Sequence, residues 1–468
     1  MKILLVQQDM GRRNKVRVIY PVGLGYLASA LEKRGHRAKI FDPNIYSLAI
    51  AQIKLQEEIR EFSPDAIGIS IKYIDTTQRR DPFIFYNTIR PMITSIKSIE
   101  PDIKIIVGGA GFSMFAKEIM LDIPEIDLGF FLEAEDSLPA LLDNPDDFRS
   151  IKGIFYRENS GVYFSGPGKP LDFTQLSEPA KNPRIINISP YLCDDYQTFG
   201  IQSKRGCPFD CSYCNYPFLN GQKIRLKDPI SVVDEIESLV KNYGLRNFTF
   251  VDNIFNLPPA HAIEICQGIL KRNLRLEWGA WFDLENFSEE LLDITAEAGC
   301  RHFDFSPDAA TDQGLRALRK NINLSMITKS LSLIKAKKNV FASYNFFCSY
   351  PGQSLLGALM TWYLLCKIIF SLFGRVRIGL GWIRIEPNTL VREIAIKEKI
   401  ISEGTSLLAK NERELKKLFY RNPTFYFNDA LFGVFLNIAD HFLKPILKIS
   451  FGLFRKKYPF YYNDDRSK

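Results

Sequence analysis

The sequence lacks a strong excess of charge of one sign and an apolar secretory leader. Its 61 basic and 53 acidic residues leave a formal charge of +8, which suits an anionic ligand or surface but does not demand nucleic acid. We therefore predict no nucleic-acid partner. Met1 runs directly into the strand-like segment Lys2–Gln7, so we expect a reducing, cytoplasmic environment for the eight cysteines.

Three cysteines lie close together in the stretch KRGCPFDCSYCN, with the spacing C-x-x-x-C-x-x-C: Cys207, Cys211 and Cys214. Three thiolates can hold a four-iron cluster and leave one iron open. The alternatives are a structural zinc site or a chance grouping. Zinc normally needs a fourth Cys or His at finger-like spacing, and the nearest later candidates, His261 and Cys266, are roughly fifty residues away.

With the aromatic Tyr213 directly before Cys214, this motif resembles the cluster loop of the radical S-adenosylmethionine (radical SAM) superfamily. The resemblance implies a 4Fe-4S cluster held by Cys207, Cys211 and Cys214, with S-adenosylmethionine (SAM) on the open iron. It further implies that an electron from the cluster cleaves SAM to a 5'-deoxyadenosyl radical, and that an external donor such as flavodoxin or ferredoxin supplies that electron.

Residues 2–142 alternate short apolar runs with helical patterns, which predicts a Rossmann-like, doubly wound parallel sheet. The predicted strands are Ile3–Val6, Ala38–Phe41, Ala66–Ile71, Ile103–Val107 and Leu128–Leu132. A ligand is expected at their carboxyl ends. There Gly108 and Gly109 would let the backbone approach a bulky ligand, although many tight strand-to-helix turns also use glycine.

The segments Pro21–Ala28, Leu31–His36 and Ile106–Gly109 resemble the cobalamin-binding domain that precedes the radical SAM barrel in one large subgroup. The resemblance implies cobalamin bound at Gly108 and Gly109. The sequence has no D-x-H-x-x-G motif, so we expect no histidine on cobalt and a structural role for His36. That subgroup usually has a proline soon after the glycine pair and an acidic-glycine motif after the fifth strand, whereas this sequence has Ala110-Gly111 and Glu133-Ala-Glu135.

The alternation resumes after a proline-rich stretch, and its repeated units suit the partial (β/α)6 barrel of the radical SAM fold. The predicted strands are Asn247–Val251, Leu276–Trp281, His302–Ser306, Phe341–Phe347 and Arg377–Ile385. The predicted domains are 1–145 for the cobalamin-binding-like domain, 146–195 for a linker, 196–390 for the barrel, and 391–468 for a small, mostly helical cap or amphipathic tail.

Three polar residues close predicted barrel strands and are candidates for contacts with SAM: Asp252, Ser306 and Asp308. The alternative for each is an ordinary strand-end turn held by a short polar side chain. With Tyr213 they complete the predicted cofactor-binding set, and no catalytic residue is assigned. Trp382 and one of Trp278 and Trp281 could line an apolar substrate pocket, although such aromatics more often belong to the core.

Two apolar stretches raise the question of a membrane. Leu355–Phe373 reaches the minimum length of a span, but its place between barrel strands favours a buried helix. The tail Ala430–Tyr462 mixes apolar residues with Lys444, Lys448, Arg455, Lys456 and Lys457, so it could lie on an anionic membrane or pack as a cap over the barrel. The first alternative would make the protein membrane-peripheral and its substrate lipid-like.

The resemblance implies methylation of an unactivated carbon of a small molecule, with SAM as the radical source and methylcobalamin as the methyl donor. A rival within enzymes is a cyclisation, rearrangement or oxidation that uses the radical without methyl transfer. A rival from another class is a metal-binding protein without catalysis.

Overall fold

The computed structural model describes residues 1–12, 17–159, 161–193, 195–424, 431 and 433–434. Within these ranges the chain is α/β, with a Rossmann-like sheet followed by a partial barrel and a small helical C-terminal region. The helices after the barrel are short, so the sheet and the barrel supply most of the core. Of the predicted amphipathic tail the structure describes only Leu431, Gly433 and Val434, and the two interpretations of the tail therefore stay predictions.

The first sheet has the strand order β2-β1-β3-β4-β5-β6-β7, and its first five strands are parallel. Its strands are β1 Lys2–Gln7, β2 Arg37–Phe41, β3 Ala66–Ser70, β4 Lys104–Gly108, β5 Leu128–Phe130, β6 Ile154–Glu158 and β7 Gly161–Phe164. The helices of this part are α1 Val22–Lys33, α2 Leu48–Phe62, α3 Ile89–Lys97, α4 Ala110–Met114, α5 Ala116–Asp122 and α6 Ser137–Asp143.

Continuous apolar runs form the central strands because helices cover both faces of the sheet. Ile3, Leu4, Leu5 and Val6 are all at most 1% exposed, although neighbouring residues in a strand point to opposite faces. The five predicted strands are confirmed within two residues at each end. The helical pattern of residues Phe112–Leu121, between the fourth and fifth strands, forms two short helices, α4 and α5, that meet at Phe115.

The predicted linker, residues 146–195, differs from the expectation in its first part. It carries β6 and β7, which extend the first sheet by two antiparallel strands beyond β5. Aromatic side chains pair across them, and the rings of Phe155 and Phe164 stack with centroids 4.5 Å apart. The prolines of this stretch follow the hairpin, from Pro167 onward. The described residues between Pro167 and Asp195 form turns, irregular segments and short 3-10 helices.

The barrel is a six-stranded parallel sheet with the order β15-β14-β13-β12-β11-β8. Its strands are β8 Gly200–Ile201, β11 Asn247–Phe250, β12 Glu277–Trp281, β13 Cys300–Asp308, β14 Phe341–Ser349 and β15 Val376–Trp382, and a separate antiparallel hairpin pairs β9 Lys204–Arg205 with β10 Arg225–Leu226. The helices are α7 Tyr216–Asn220, α8 Pro229–Tyr243, α9 Pro259–Lys271, α10 Glu289–Glu297, α11 Asp312–Ala317, α12 Leu324–Ala336, α13 Leu355–Ser371, α14 Leu390–Lys397 and α15 Glu412–Lys417.

Alternation along the barrel strands separates an outer face from an inner face. Tyr344 points outward, because its hydroxyl lies 3.0 Å from the Ser330 hydroxyl on α12. Trp278 is fully buried and its indole donates to the Ala298 carbonyl at 2.9 Å, so it belongs to the core. Trp281, on the opposite face of β12, is 41% exposed at the carboxyl end of the strand.

Helix α13 lies on the outside of the barrel, between β14 and β15. The prediction of a buried helix is correct for one face, which includes Leu364, Leu365 and Ile368, and wrong for the other. The opposite face exposes large apolar side chains such as Phe370, which is 80% exposed. Across the described residues, no helix combines the length and the apolarity that crossing a bilayer requires.

Candidate active site

The three-cysteine loop begins where the β9–β10 hairpin opens. Gly206 turns the chain there with φ +100°, and a Cβ at this position would come within 2.2 Å of the Lys223 carbonyl oxygen, so only glycine fits. The Cys207 amide then donates to the Gly221 carbonyl at 3.0 Å, and the Cys214 amide donates to the Cys211 carbonyl at 3.1 Å. These bonds hold the three thiols on one closed loop.

The three thiols suit a cluster better than a single metal ion. Burial raises the pKa of Cys211 to about 11 and that of Cys214 to about 12, so iron must displace protons when it binds. No group of three Cys, His, Asp or Glu side chains in the described ranges is placed to hold one ion. A four-iron cluster fits this spacing, because each thiolate then binds a different iron.

Tyr213 anchors the loop to the barrel. Its hydroxyl donates to a carboxylate oxygen of Asp308 at 2.5 Å, and Lys320 pairs with the same oxygen at 2.8 Å. Asp308 has φ +69° at the end of β13, a conformation that Asp tolerates better than most residues. In this structure Tyr213 and Asp308 bind each other, and their predicted contacts with SAM stay predictions.

Asp252 holds the strand that leads into the loop. Its carboxylate accepts hydrogen bonds from the Ser203 amide at 2.8 Å, the Ser203 hydroxyl at 2.5 Å and the Lys204 amide at 3.1 Å. Lys204 is itself buried, and its ammonium donates to the Phe255 carbonyl at 2.5 Å. Asp252 therefore positions β9, which is a structural use of a residue predicted to contact SAM.

The inner face of the barrel carries a carboxylate that the sequence reasoning did not single out. Asp304 lies on β13, two residues before Ser306, and accepts a hydrogen bond from the Ser343 hydroxyl of β14. Burial raises the pKa of Asp304 to about 6. Ser306 lies two residues further along β13 and is partly exposed, and its predicted contact with SAM stays a prediction.

We expect Asp304→Asn to stabilise the protein at neutral pH. Because folding raises the pKa of Asp304 above that of the unfolded chain, the native state binds the proton more tightly and stability falls as pH rises from about 4 to about 6. Asn keeps the acceptor for Ser343 and has no charge. The gain in free energy of unfolding should be roughly 3 kcal/mol at pH 7.5 and less than about 1 kcal/mol at pH 4, measured by urea denaturation.

Asp172→Asn is the control of opposite sign, because hydrogen bonds from Thr174 lower the pKa of Asp172. That variant should lose stability relative to the parent as pH rises toward about 4, because the lowered pKa of Asp172 places its titration below the range that affects Asp304. A gain at Asp304→Asn that is equal at pH 4 and pH 7.5 would contradict the burial of an ionisable carboxylate.

A second site lies at the carboxyl ends of β3, β4 and β5. A cavity of about 190 Å³ has an aliphatic floor and a polar rim. The floor includes Leu24, Leu27, Ile69 and Val107, and the rim includes Ser70, Glu133, Glu135, Arg205 and Asn220. A cavity beside the strand ends of a doubly wound sheet is where a large cofactor binds, and a bulky ring with polar edges fits this lining.

The predicted glycine pair, Gly108 and Gly109, lines this cavity, but the backbone requires glycine at only one of the two positions. Gly109 has φ +98°, and a Cβ would lie 2.7 Å from the Ile71 carbonyl oxygen, so the backbone itself requires glycine. Gly108 has room, because a Cβ would meet Phe130 only at 3.6 Å. Gly108 is therefore the position where a side chain would enter the cavity without disturbing the turn.

His36 lies away from this cavity, in the turn that enters β2. Its Nε2 is 3.0 Å from a carboxylate oxygen of Asp143, and its Nδ1 is 3.4 Å from the amino terminus. No histidine lines the cavity in the part of the chain that the structure describes. The expectation that no protein histidine binds cobalt stays a prediction.

The two sites adjoin through an ion-pair network. Glu133 binds Arg225 at 2.7 Å and Arg205 at 3.0 Å, and Arg205 also pairs with Glu135 at 2.7 Å. Burial opposes ionisation of Glu133, but the hydrogen bond from Arg225 and the charge of Arg205 outweigh it and lower its pKa. The segment Glu133-Ala-Glu135, which differs from the subgroup pattern, thus joins the first domain to the hairpin beside Cys207.

We expect Glu133→Gln to destabilise the protein by about 3 kcal/mol, because it leaves two largely buried guanidinium groups without their shared carboxylate. Urea denaturation at pH 7.5 measures the loss. Glu158→Gln is the matched control, since its pair with Arg149 is exposed and should be worth less than about 1 kcal/mol. Equal losses for the two variants would show that the network contributes no more than a surface pair.

Comparison with known families agrees with this geometry. The B12 binding domain matches residues 14–142, and the radical SAM superfamily matches residues 201–355. The chain belongs to the cobalamin-binding radical SAM enzymes. The cofactors of this family are a 4Fe-4S cluster, SAM and cobalamin. The two alternative interpretations of the sequence, a structural zinc site and a metal-binding protein without catalysis, are therefore not supported.

Relatives of this radical SAM enzyme include methyltransferases. An uncharacterized methyltransferase of Pyrococcus horikoshii is 27% identical over 363 residues, which cover 76% of this chain and 75% of that protein. The cytidylyl-2-hydroxyethylphosphonate methyltransferase of Streptomyces wedmorensis is 24% identical over 415 residues, which cover 76% and 75%.

A solved structure shares the fold of this enzyme. The radical SAM methyltransferase TsrM of Kitasatospora setae, with a tryptophan substrate and a SAM analogue bound, superimposes with a TM-score of 0.74 at 22% identity. The match covers 85% of this chain and 76% of that one. At this identity the likeness shows the architecture, in which a sheet domain, a radical SAM barrel and a C-terminal region follow one another.

The sequence alone did not indicate the residues of this enzyme that form ion pairs or hydrogen bonds with partners distant in the chain. Lys320, Arg225 and Asp304 each belong to no motif, and each meets its partner only after folding. A weak signal existed for Arg205, which directly precedes the Gly206-Cys207 pair. Glu133 and Glu135 stood out only as a departure from the subgroup pattern.

Proposed function

We propose that this enzyme transfers a methyl group to an unactivated carbon of a small molecule bound inside the barrel. The observation that carries the proposal is the shared cavity. Gly108 and Glu133 of the first domain line it together with Arg205 and Asn220, which flank the cluster loop. A cofactor in this cavity and SAM at the loop would therefore face the same space.

Contacts between α4 and α7 keep the two sites together. The Asn215 amide lies 3.3 Å from the sulfur of Met114 and donates to a Glu386 carboxylate oxygen at 2.6 Å. The rings of Phe131 and Phe218 meet edge to face with centroids 5.9 Å apart. These contacts support a fixed separation between the cofactors, which a reaction needs if a substrate carbon must lie between them.

The chain's own residues would bind, orient and shield the substrate. Trp281, at the carboxyl end of β12, offers an exposed indole face, and Asp304 with Ser343 offers a polar contact deeper in the barrel. Tyr196 stacks on His302 with ring centroids 3.9 Å apart. It fills the space over Gly279, where a Cβ would come within 2.5 Å of the Tyr196 ring, and so obstructs water from the amino end of the strands.

When bound, the cluster and SAM supply a 5'-deoxyadenosyl radical, and cobalamin supplies the methyl group. Cys207, Cys211 and Cys214 would each hold one iron, while Tyr213, Asp252, Ser306 and Asp308 are proposed to hold SAM directly or through the loop. The proposal includes an external electron donor of the flavodoxin or ferredoxin type, because the cluster must be reduced before SAM is cleaved.

The products test the proposal. Reconstituted protein incubated anaerobically with SAM, a reductant and a substrate should form S-adenosylhomocysteine and 5'-deoxyadenosine together, with two SAM consumed per methylated product. The substrate gives one hydrogen atom to the 5'-deoxyadenosyl radical, which becomes 5'-deoxyadenosine, and gains one methyl group. Deoxyadenosine without S-adenosylhomocysteine would favour cyclisation, rearrangement or oxidation, and the absence of both nucleosides would refute radical catalysis.

A further inference from the structure

The outward face of α13 is mostly apolar, with Lys367 as its one charged residue. Leu356, Leu359, Tyr363 and Phe370 are 64%, 58%, 59% and 80% exposed. Their spacing of three, four and seven residues places them on one side of the helix. From Leu356 to Phe370 this apolar stripe is about 21 Å long.

The stripe belongs to a helix that is firmly anchored to the barrel. Its other face, with Ala358, Thr361, Leu364, Leu365 and Ile368, is buried. The Ser354 hydroxyl accepts a hydrogen bond from the Gly357 amide at 3.1 Å and caps the first turn. Scattered exposed apolar residues are ordinary, but several large ones aligned on one side of a rigid helix mark a surface that binds something.

Charge indicates what that surface binds. From Gln313 to Ile385 the sequence contains eleven Lys and Arg residues and no Asp or Glu. Some of these cations are neutralised across the fold, as in the pair between Lys337 and Asp293. Four exposed lysines on or beside α12 and α13 pair with no carboxylate among the residues that the structure describes: Lys329, Lys335, Lys338 and Lys367.

We propose that α13 docks on an anionic lipid bilayer and lies in the plane of its surface. An apolar stripe with one unpaired lysine on the same helix and others on or next to the neighbouring α12 suits an interfacial helix, in which apolar side chains enter the headgroup region and cations contact anionic lipid. Lys367 follows Tyr363 by one helical turn, and its aliphatic stem can lie along the stripe while its ammonium reaches the headgroups.

Vesicle sedimentation of the full-length holoenzyme tests this docking. The vesicles are phosphatidylcholine alone or phosphatidylcholine with roughly 30% phosphatidylglycerol, an anionic lipid, at low and high salt. We expect binding to the anionic vesicles that weakens with salt. The variant Leu356→Gln/Leu359→Gln/Phe370→Gln should lower the partition coefficient at least about tenfold, and so should changing Lys329, Lys335, Lys338 and Lys367 to Gln.

Two control variants match these changes elsewhere on the surface. The first control, Leu48→Gln/Ile50→Gln/Ile53→Gln, alters exposed apolar residues on α2. The second control changes to Gln four exposed lysines outside this region: Lys33, Lys117, Lys271 and Lys416. Both controls should bind like the parent. SAM cleavage without lipid, unchanged in every variant, would show that each is folded.

The outcomes separate lipid from the other possible occupants. A further variant changes five basic residues of the tail to Gln: Lys444, Lys448, Arg455, Lys456 and Lys457. If lipid binding is lost in this variant alone, the proposal is overturned and the membrane contact belongs to the tail. The proposal also fails if no variant or condition gives lipid binding. A parent dimer that the α13 variants convert to monomers, without lipid binding, would assign the stripe to a second copy of the chain.

Discussion

Cys207→Ala, Cys211→Ala and Cys214→Ala should each abolish SAM cleavage. Each thiolate holds one iron, and with only two protein ligands the cluster is no longer held firmly enough to present a single open iron to SAM. Iron in the anaerobically reconstituted protein should fall from close to four per chain to less than one in the triple variant. Formation of 5'-deoxyadenosine with dithionite should fall by about a thousandfold or more in each single variant.

Three cysteines outside the loop provide the controls. Cys266 and Cys300 are fully buried, and Cys366 is exposed on α13. Cys266→Ala, Cys300→Ala and Cys366→Ser should retain iron and the absorbance of the cluster, although the first two should unfold at lower temperature because they leave small cavities. A cluster that survives the triple replacement in the loop would refute the assignment of the ligands.

Gly108→Val should weaken cobalamin binding by about tenfold or more, because the added side chain enters the cavity where the cofactor would lie. The change is tolerable in the protein alone, since a Cβ at Gly108 makes ordinary contact with Phe130 at 3.6 Å. Anaerobic titration with hydroxocobalamin, followed by absorbance, measures the affinity. This readout does not depend on turnover.

His36→Ala and Gly404→Val are the controls for Gly108→Val. His36 pairs with Asp143 away from the cavity, so its loss should leave the spectrum of bound cobalamin unchanged. Gly404 faces open space, so valine there should change neither affinity nor melting temperature. If Gly108→Val binds cobalamin as the parent does while His36→Ala changes the spectrum, the cofactor lies elsewhere and a histidine contacts it.

The fold was predictable because its strands are buried on both faces. A parallel strand covered by helices is a continuous apolar run, as in Ile3–Val6, and such runs are bounded by turns that can be recognised in the sequence. The strands β6 and β7 were not recognised, since each is partly exposed and they extend the sheet in the antiparallel sense. A hairpin near a sheet edge lacks the apolar run that identifies the central strands.

The cluster ligands were predictable because they are local, and the ion pairs were not because they are distant. Cys207, Cys211 and Cys214 span eight residues, whereas Glu133 and Arg225 are 92 residues apart. Asp252 and Asp308 were placed correctly at strand ends, but their positions could not reveal that Ser203 and Tyr213 would already use their carboxylates. Contacts of this kind are fixed by the packing of whole elements.

The pairing of Glu133 and Glu135 with Arg205 and Arg225 limits how this protein could be recombined with its relatives. A chimera that exchanged only the first domain for one with glycine at these positions would leave two cations stranded beside the cluster loop. Arg205 and Arg225 would then have to change together with the domain, since an unpaired buried charge costs several kcal/mol. The transferable unit is therefore the sheet domain together with the β9–β10 hairpin, and a crossover within residues 146–195 would cut through it.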